Sequence, residues 1–209
     1  LGTVLWQSGG ERHYALEGSV FVAGSLIQWL RDGLGLLAAS ADSEALARSV
    51  ADSGGVTLVP ALTGLGAPHW QPQARGSISG LTLGSTRAHI VRAALESMAH
   101  QCHDLMQAFA ADGAAWDRLR IDGGMSANDW MAQDLADILN LPVERPTDVE
   151  TTALGAAMCA AVGAGIYPSL AEASARMRPD TAAFGPTMAD ATRAARLTAW
   201  QDALAKVMG

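Results

Sequence analysis

The sequence predicts an α/β fold, with a mainly parallel or mixed sheet and helices on its faces. Strand-length apolar runs alternate with helix-period segments from residue 55 to residue 165. The apolar fraction is 49% and the aromatic fraction only 5%, with much alanine, which suits close-packed helices on a sheet better than an aromatic-rich sandwich. One apolar run, Arg118–Asp122, ends in two glycines just where a helix pattern begins.

Each element has a local reason. Residues 2–7 and 13–20 are β-prone runs around Ser-Gly-Gly-Glu, a hairpin signal. A helix over roughly 21–36 follows, since Val22, Leu26, Ile27, Leu30 and Leu34 share one face, and Gly33 and Gly35 loosen its end. "ADSEALARSVAD" predicts a second helix with Asp42 or Ser43 as N-cap. "GVTLVP" reads as a short buried strand, residues 61–87 as a long loop, and "GSISGLTLG" within it as a brief extended piece. From His89 to about Ala111, apolar residues recur every three or four positions, the pattern of a long helix. "RLRID" is a strand, about 127–139 a helix that Asn140 ends, and "LPVERP" another strand. Thr147 and Glu150 have capping-box spacing and open an Ala/Gly-rich helix, with Pro168 beyond it. The tail after about Met188 is amphipathic and helical.

The bulk chemistry narrows the function. A net charge of −7 argues against nucleic acid or an anionic membrane as partner. No apolar run approaches the roughly 20 residues of a membrane span, and no signal peptide is present. Two distant cysteines, Cys102 and Cys159, suit a reduced, cytoplasmic protein. The five histidines lack metal-site spacing, and neither a Walker loop nor a Gly-x-Ser-x-Gly elbow occurs. The chain opens at Leu1 on a strand pattern, which suggests a piece of a longer protein.

Three places could carry a ligand. At Asp122-Gly123-Gly124, glycine lets a ligand approach the backbone, the following helix offers free N–H groups, and Ser126 and Asn128 supply short polar side chains. The same turn could equally be a tight strand-to-helix connection with Ser126 as a cap. Gly24 and Gln28 lie four apart on one helix face, giving backbone access and an amide, or simple helix packing. The loop 63–70 is rich in Gly and Pro with one Trp, and reads either as a functional loop or as a connector with Trp70 tucked against the body.

Five blocks resemble the FGGY carbohydrate kinases, and among them the C-terminal half of the glycerol kinases. They are "YALEGSVFVAGSLIQWLRDGLGLL", "VPALTGLGAPHWQPQARGSISGLTLG", "HIVRAALESMAHQCHDLM", "LRIDGGMSANDWMAQDLADIL" and "VERPTDVETTALGAAMCAA". Gly76, Ile78, Gly80, Leu81, His89, Ile90, Ala93, Leu95 and Glu96 fit the family's C-terminal signature. The resemblance is dense over about residues 1–165, and "YALEG" with "GLGAP" favours glycerol kinases over xylulose or gluconate kinases.

The resemblance implies an actin/hexokinase-like (ribonuclease H-like) fold in which residues 1–209 form one nucleotide-binding domain. It implies ATP/ADP held by Gly24, Gln28, Gly124 and Asn128, with Mg²⁺ at the phosphates. It further implies glycerol as substrate, and a full-length enzyme that self-associates. The family's catalytic aspartate and glycerol-binding residues fall upstream of Leu1, so no catalytic residue is assigned. A related sugar or polyol kinase, or a non-catalytic actin-like nucleotide module, are the alternatives.

Overall fold

The long α3 helix is the spine of the molecule. In a computed structural model, which describes every residue except Gly9, it runs from Arg87 to Ala111. Thr86 and His89 cap its start reciprocally, Thr86 N–H donating to His89 Nδ1 at 3.0 Å. Alanines 88, 93, 94 and 99 are buried along it, so neighbouring helices approach closely. Against α3 pack α1 (Gly24–Asp32), α2 (Asp42–Arg48) and α4 (Asp129–Leu139). The main core joins Leu26, Ile27 and Leu30 of α1 to Val91, Leu95 and Met98 of α3 and Leu135 and Ile138 of α4.

Among the described residues the strands form three small sheets. β1 (Gly2–Ser8) and β2 (Glu11–Leu16) make the expected antiparallel hairpin, though Gly9 of its turn lies outside the described residues. β3 (Thr57–Val59) pairs antiparallel with β4 (Ser77–Ser79). The mixed sheet is β5 (Leu119–Arg120), β6 (Val143–Pro146) and β7 (Thr181–Phe184), with β5–β6 parallel and β6–β7 antiparallel. Helices α5 (Thr151–Gly163) and α6 (Leu170–Met177) lie between β6 and β7 in the chain, and α7 (Asp190–Met208) closes it.

Several local expectations are corrected. The first helix is shorter than 21–36, because Gly35 turns left-handed at φ 65°. Neither Asp42 nor Ser43 caps α2; Asp42 accepts from Ala39 N–H at 2.8 Å and Ser43 is buried. The Thr147–Glu150 capping box does not form. Strand pairing carries on instead, Thr147 N–H donating to Asp180 C=O at 2.8 Å, and the helix starts only at Thr151. Helix α6, capped by Ser169, and strand β7 stand where no element was expected. No residue of α5 is buried, although it is apolar nearly all round.

Buried polar groups tie α3 to its neighbours. Asp104 accepts from Trp200 Nε1 at 2.8 Å, Gln201 Nε2 at 3.0 Å and His69 Nε2 at 3.1 Å. Burial alone would raise this carboxyl, yet the bonds it accepts and the imidazoles of His103 and His69 hold it well below the usual range. These bonds anchor α7 and the 63–70 loop on α3. Trp70 itself is 52% exposed, so it is not tucked against the body. Deeper in, Arg196 of α7 grips Asp134 of α4 with two bonds of 2.5 and 2.9 Å. Arg92 bonds Glu96 at 3.1 Å and the carbonyl of Val50 at 2.6 Å.

His100 stacks on Trp200 with ring centroids 5.3 Å apart, and its Nε2 has no partner among the described residues. Burial, reinforced by Arg196, pushes its imidazole down to about 3. In the window from about 6.5 down toward that value the unfolded chain takes up a proton that the folded chain refuses, so acid destabilises the fold. The substitution His100→Phe keeps a ring against Trp200 and removes the titration. Thermal melts between about pH 7 and pH 5 should show the wild type losing stability and the variant losing less. Parallel pH slopes would contradict this assignment.

Candidate functional site

The site is built at the end of β5. Backbone bonds hold the strand beside β6, with Ile121 N–H donating to Glu144 C=O at 2.9 Å. Asp122 then accepts from the Thr151 hydroxyl, which ties the strand end to the first residue of α5. Gly123 turns the chain at φ 77°, a conformation that costs an L residue about 1–2 kcal/mol. Gly124–Ala127 form one 3-10 turn, locked by the Ser126 hydroxyl on the Gly123 carbonyl at 2.7 Å. Asn128, not Ser126, caps the helix that follows: its Oδ1 accepts from Met131 N–H at 2.9 Å.

The two glycines of this turn do different work. Gly123 is required by backbone geometry. Gly124 is not left-handed, and a Cβ built on it would meet nothing within 4 Å. Its missing side chain leaves space that no protein atom fills. The N–H groups of Gly124 and Met125 have no protein acceptor among the described residues. Open space, free amides and a helix start just beyond them suit an anionic group such as a phosphate.

Across from this turn stands α2. A cleft of about 220 Å³ is lined by Ser40, Ser43 and Glu44 on one side and by Gly124, Met125 and Asn128 on the other. The walls are joined at two points. Asn128 Nδ2 donates to Ser43 Oγ at 3.4 Å, and Asp129 N–H donates to Glu44 Oε2 at 3.1 Å. Ser43 in turn donates to the Ser40 carbonyl at 2.7 Å.

Of the four residues singled out in the sequence, Gly124 and Asn128 line this cleft directly. Gly24 opens α1 against the turn: a Cβ there would stand 2.9 Å from Met125 Cγ. Its lack of a side chain is thus accounted for by helix packing against a cleft wall. Gln28 lies one turn further along α1 and is exposed, with no side-chain hydrogen bond among the described residues. The structure therefore places three of the four at one turn and leaves Gln28 facing solvent nearby. The loop 63–70 lines no part of the cleft. Its glycines serve close packing, since a Cβ on Gly66 would stand 2.4 Å from the Ser19 carbonyl oxygen.

Ser43 and Glu44 belong to the site and were not singled out as ligand residues. Their bonds reach 85 positions along the chain, and local spacing carries no signal of that. Among the described residues, no group of three or more His, Cys, Asp or Glu is placed to hold a metal ion.

Comparison with known proteins identifies the family. The profile of the FGGY family of carbohydrate kinases, C-terminal domain, matches residues 3–164. The chain is 53% identical to a glycerol kinase of Rhodospirillum centenum over 204 residues, which are 98% of this chain and 41% of that protein. It is 50% identical to a glycerol kinase of Gluconobacter oxydans over 209 residues, again 41% of the relative. Among solved structures, Plasmodium falciparum glycerol kinase with ADP superposes at a TM-score of 0.88 and 33% identity, covering 100% of this chain and 42% of that one. A xylulose kinase from Rhodospirillum rubrum superposes at 0.77 with 27% identity, covering 92% of this chain and 40% of the other. The fold is that of the FGGY kinases, and the chain spans about two fifths of the length of the relatives it matches. From its motifs, its turn geometry and the match over residues 3–164, the chain belongs to the FGGY family of carbohydrate kinases and carries that family's C-terminal domain.

Proposed function

We propose that residues 1–209 are the ATP/ADP-binding domain of a glycerol kinase, which transfers the γ-phosphoryl group of ATP to a glycerol hydroxyl. The observation that carries this reading is the unfilled space at Gly124, beside two free amides, in the cleft that Asn128 and Ser43 close from below. The ADP complex of the Plasmodium falciparum enzyme, at 33% identity over the whole chain, supports a nucleotide as the occupant. Glycerol as acceptor is supported by 53% and 50% identity to glycerol kinases and, among solved structures, by 33% identity to a glycerol kinase against 27% to a xylulose kinase.

In this reading Gly124 gives the nucleotide room to lie against the backbone, and Asn128 holds the turn while offering its Nδ2 to the cleft. Gly24 lets α1 close on Met125, and Gln28 borders the nucleotide from α1. The glycerol oxygen attacks the γ-phosphorus, the bond to the β–γ bridging oxygen breaks, and ADP leaves. The hydroxyl proton goes to a base outside this chain, and none of the acids described here takes that part. Mg²⁺ is expected with the nucleotide, at its phosphates. The family resemblance also suggests a cytoplasmic, self-associating full-length enzyme. The apolar surface left open on α5 and on the β1–β2 hairpin, where Leu5 is 63% and Tyr14 69% exposed, is available to the rest of such a protein.

Substitutions in the full-length kinase separate ligand space from fold. Gly124→Val should leave the melting temperature within a degree or two of wild type, because a Cβ built there meets no protein atom within 4 Å. It should raise the KM for ATP about tenfold or more by occupying the nucleotide's space. Gly123→Ala should do the reverse in emphasis, costing about 1–2 kcal/mol of stability through the left-handed turn. Steady-state kinetics and denaturant unfolding read both effects; unchanged ATP kinetics in Gly124→Val contradict the site. A substrate panel tests the acceptor, with glycerol expected to exceed xylulose and gluconate in kcat/KM by orders of magnitude. A preference for either sugar substrate refutes the glycerol assignment.

A further inference from the structure

One side chain holds the nucleotide turn from behind. Arg145 lies on β6, the middle strand of the mixed sheet, where its backbone pairs with Ala182 of β7. Its Nη1 donates to the Ser126 carbonyl at 2.7 Å and lies 2.7 Å from Asp129 Oδ1. Those two acceptors bracket Ala127 and Asn128, so a single nitrogen fixes both ends of the segment that carries the cap. The guanidinium sits over the Phe184 ring at 5.3 Å, and only 16% of the side chain is exposed. A largely covered, planar group with one charge-assisted hydrogen bond and one ion pair has little rotational freedom.

Among the described residues, no other side chain of the mixed sheet bonds this turn. From the other side, Ser43 and Glu44 of α2 bond Asn128 and Asp129. The turn is therefore clamped between α2 in front and Arg145 behind, and Gly124 and the free amides keep their places relative to the α2 wall only while both hold. We propose that Arg145 is a positioning residue for nucleotide binding: it touches no ligand and sets where Gly124 and Asn128 present themselves. This rests on the nucleotide reading of the cleft given above.

The test compares ADP affinity and amide exchange in the full-length kinase that contains this chain. Arg145→Met keeps an apolar stem against Phe184 and removes the hydrogen bond and the ion pair. It should weaken ADP binding by about tenfold, the loss expected when a charge-assisted bond that orders a site is removed. It should also speed hydrogen exchange at the amides of residues 126–128 while exchange in α3 stays at the wild-type rate. Arg145→Lys, which restores a donor without the planar fork, should recover part of the affinity. If Arg145→Met fails to fold, Asp129→Asn removes only one arm and should give a smaller loss in the same direction. Wild-type ADP affinity in whichever of these variants folds overturns the positioning role and leaves the nucleotide site standing. Failure of the wild-type full-length kinase to bind ADP overturns the nucleotide reading, and this inference with it. A drop in global stability with unchanged ADP affinity marks Arg145 as structural only and also overturns the proposal.

Discussion

The candidate site depends on one left-handed residue. Gly123, at φ 77°, lets the chain leave β5 and enter a 3-10 turn within a single step. A side chain there would be strained, and a gentler path would carry the following residues away from α2. Because the turn is this tight, Asn128 can cap α4 and still reach Ser43 across the cleft. The same tightness leaves the amides of Gly124 and Met125 without protein partners. Backbone strain at one position is thus exchanged for accessible backbone at the next.

Around this turn the molecule is stiffened by buried polar bonds more than by a large sheet. The three-stranded sheet is small, and α3 carries much of the packing. Asp104 gathers bonds from the 63–70 loop and from α7, while Arg196 links α7 to α4 through Asp134. Burial raises the Asp134 carboxyl, so Arg196 is what keeps that charge tolerable in the core. The helix that starts at the site, α4, is consequently held along its length as well as at its cap. A rigid α4 matters because its first turn forms a wall of the cleft.

Much of this was legible from residue order. The period of α3, the end of α4 at Asn140 with φ 53° and the β1–β2 hairpin all follow from local spacing. So does the glycine turn after β5. What was not legible depends on distant partners. The Thr147–Glu150 pattern has capping spacing, but strand β7 claims the backbone of Thr147, and a tertiary bond overrides a local preference. The division into three sheets reflects pairings such as Thr57 with Ser79, which no local period encodes. Sequence marks Gly123-Gly124 as special without distinguishing them; only dihedral angles and empty space show that one serves the turn and the other the cleft. Ser43 and Glu44 of α2 and Arg145 of β6 join the site from two other elements, and their residue types alone carry no hint of it.

The central claim is that the space over Gly124 exists for a nucleotide. A crystal structure of the chain, or of the full-length kinase that contains it, grown with ADP tests it directly. The account places the diphosphate against Gly124 and the free amides of the turn, with Asn128 Nδ2 and α2 bordering the rest of the molecule. Density for ADP at any other part of the surface, with the Gly124 cleft filled only by solvent, would contradict it.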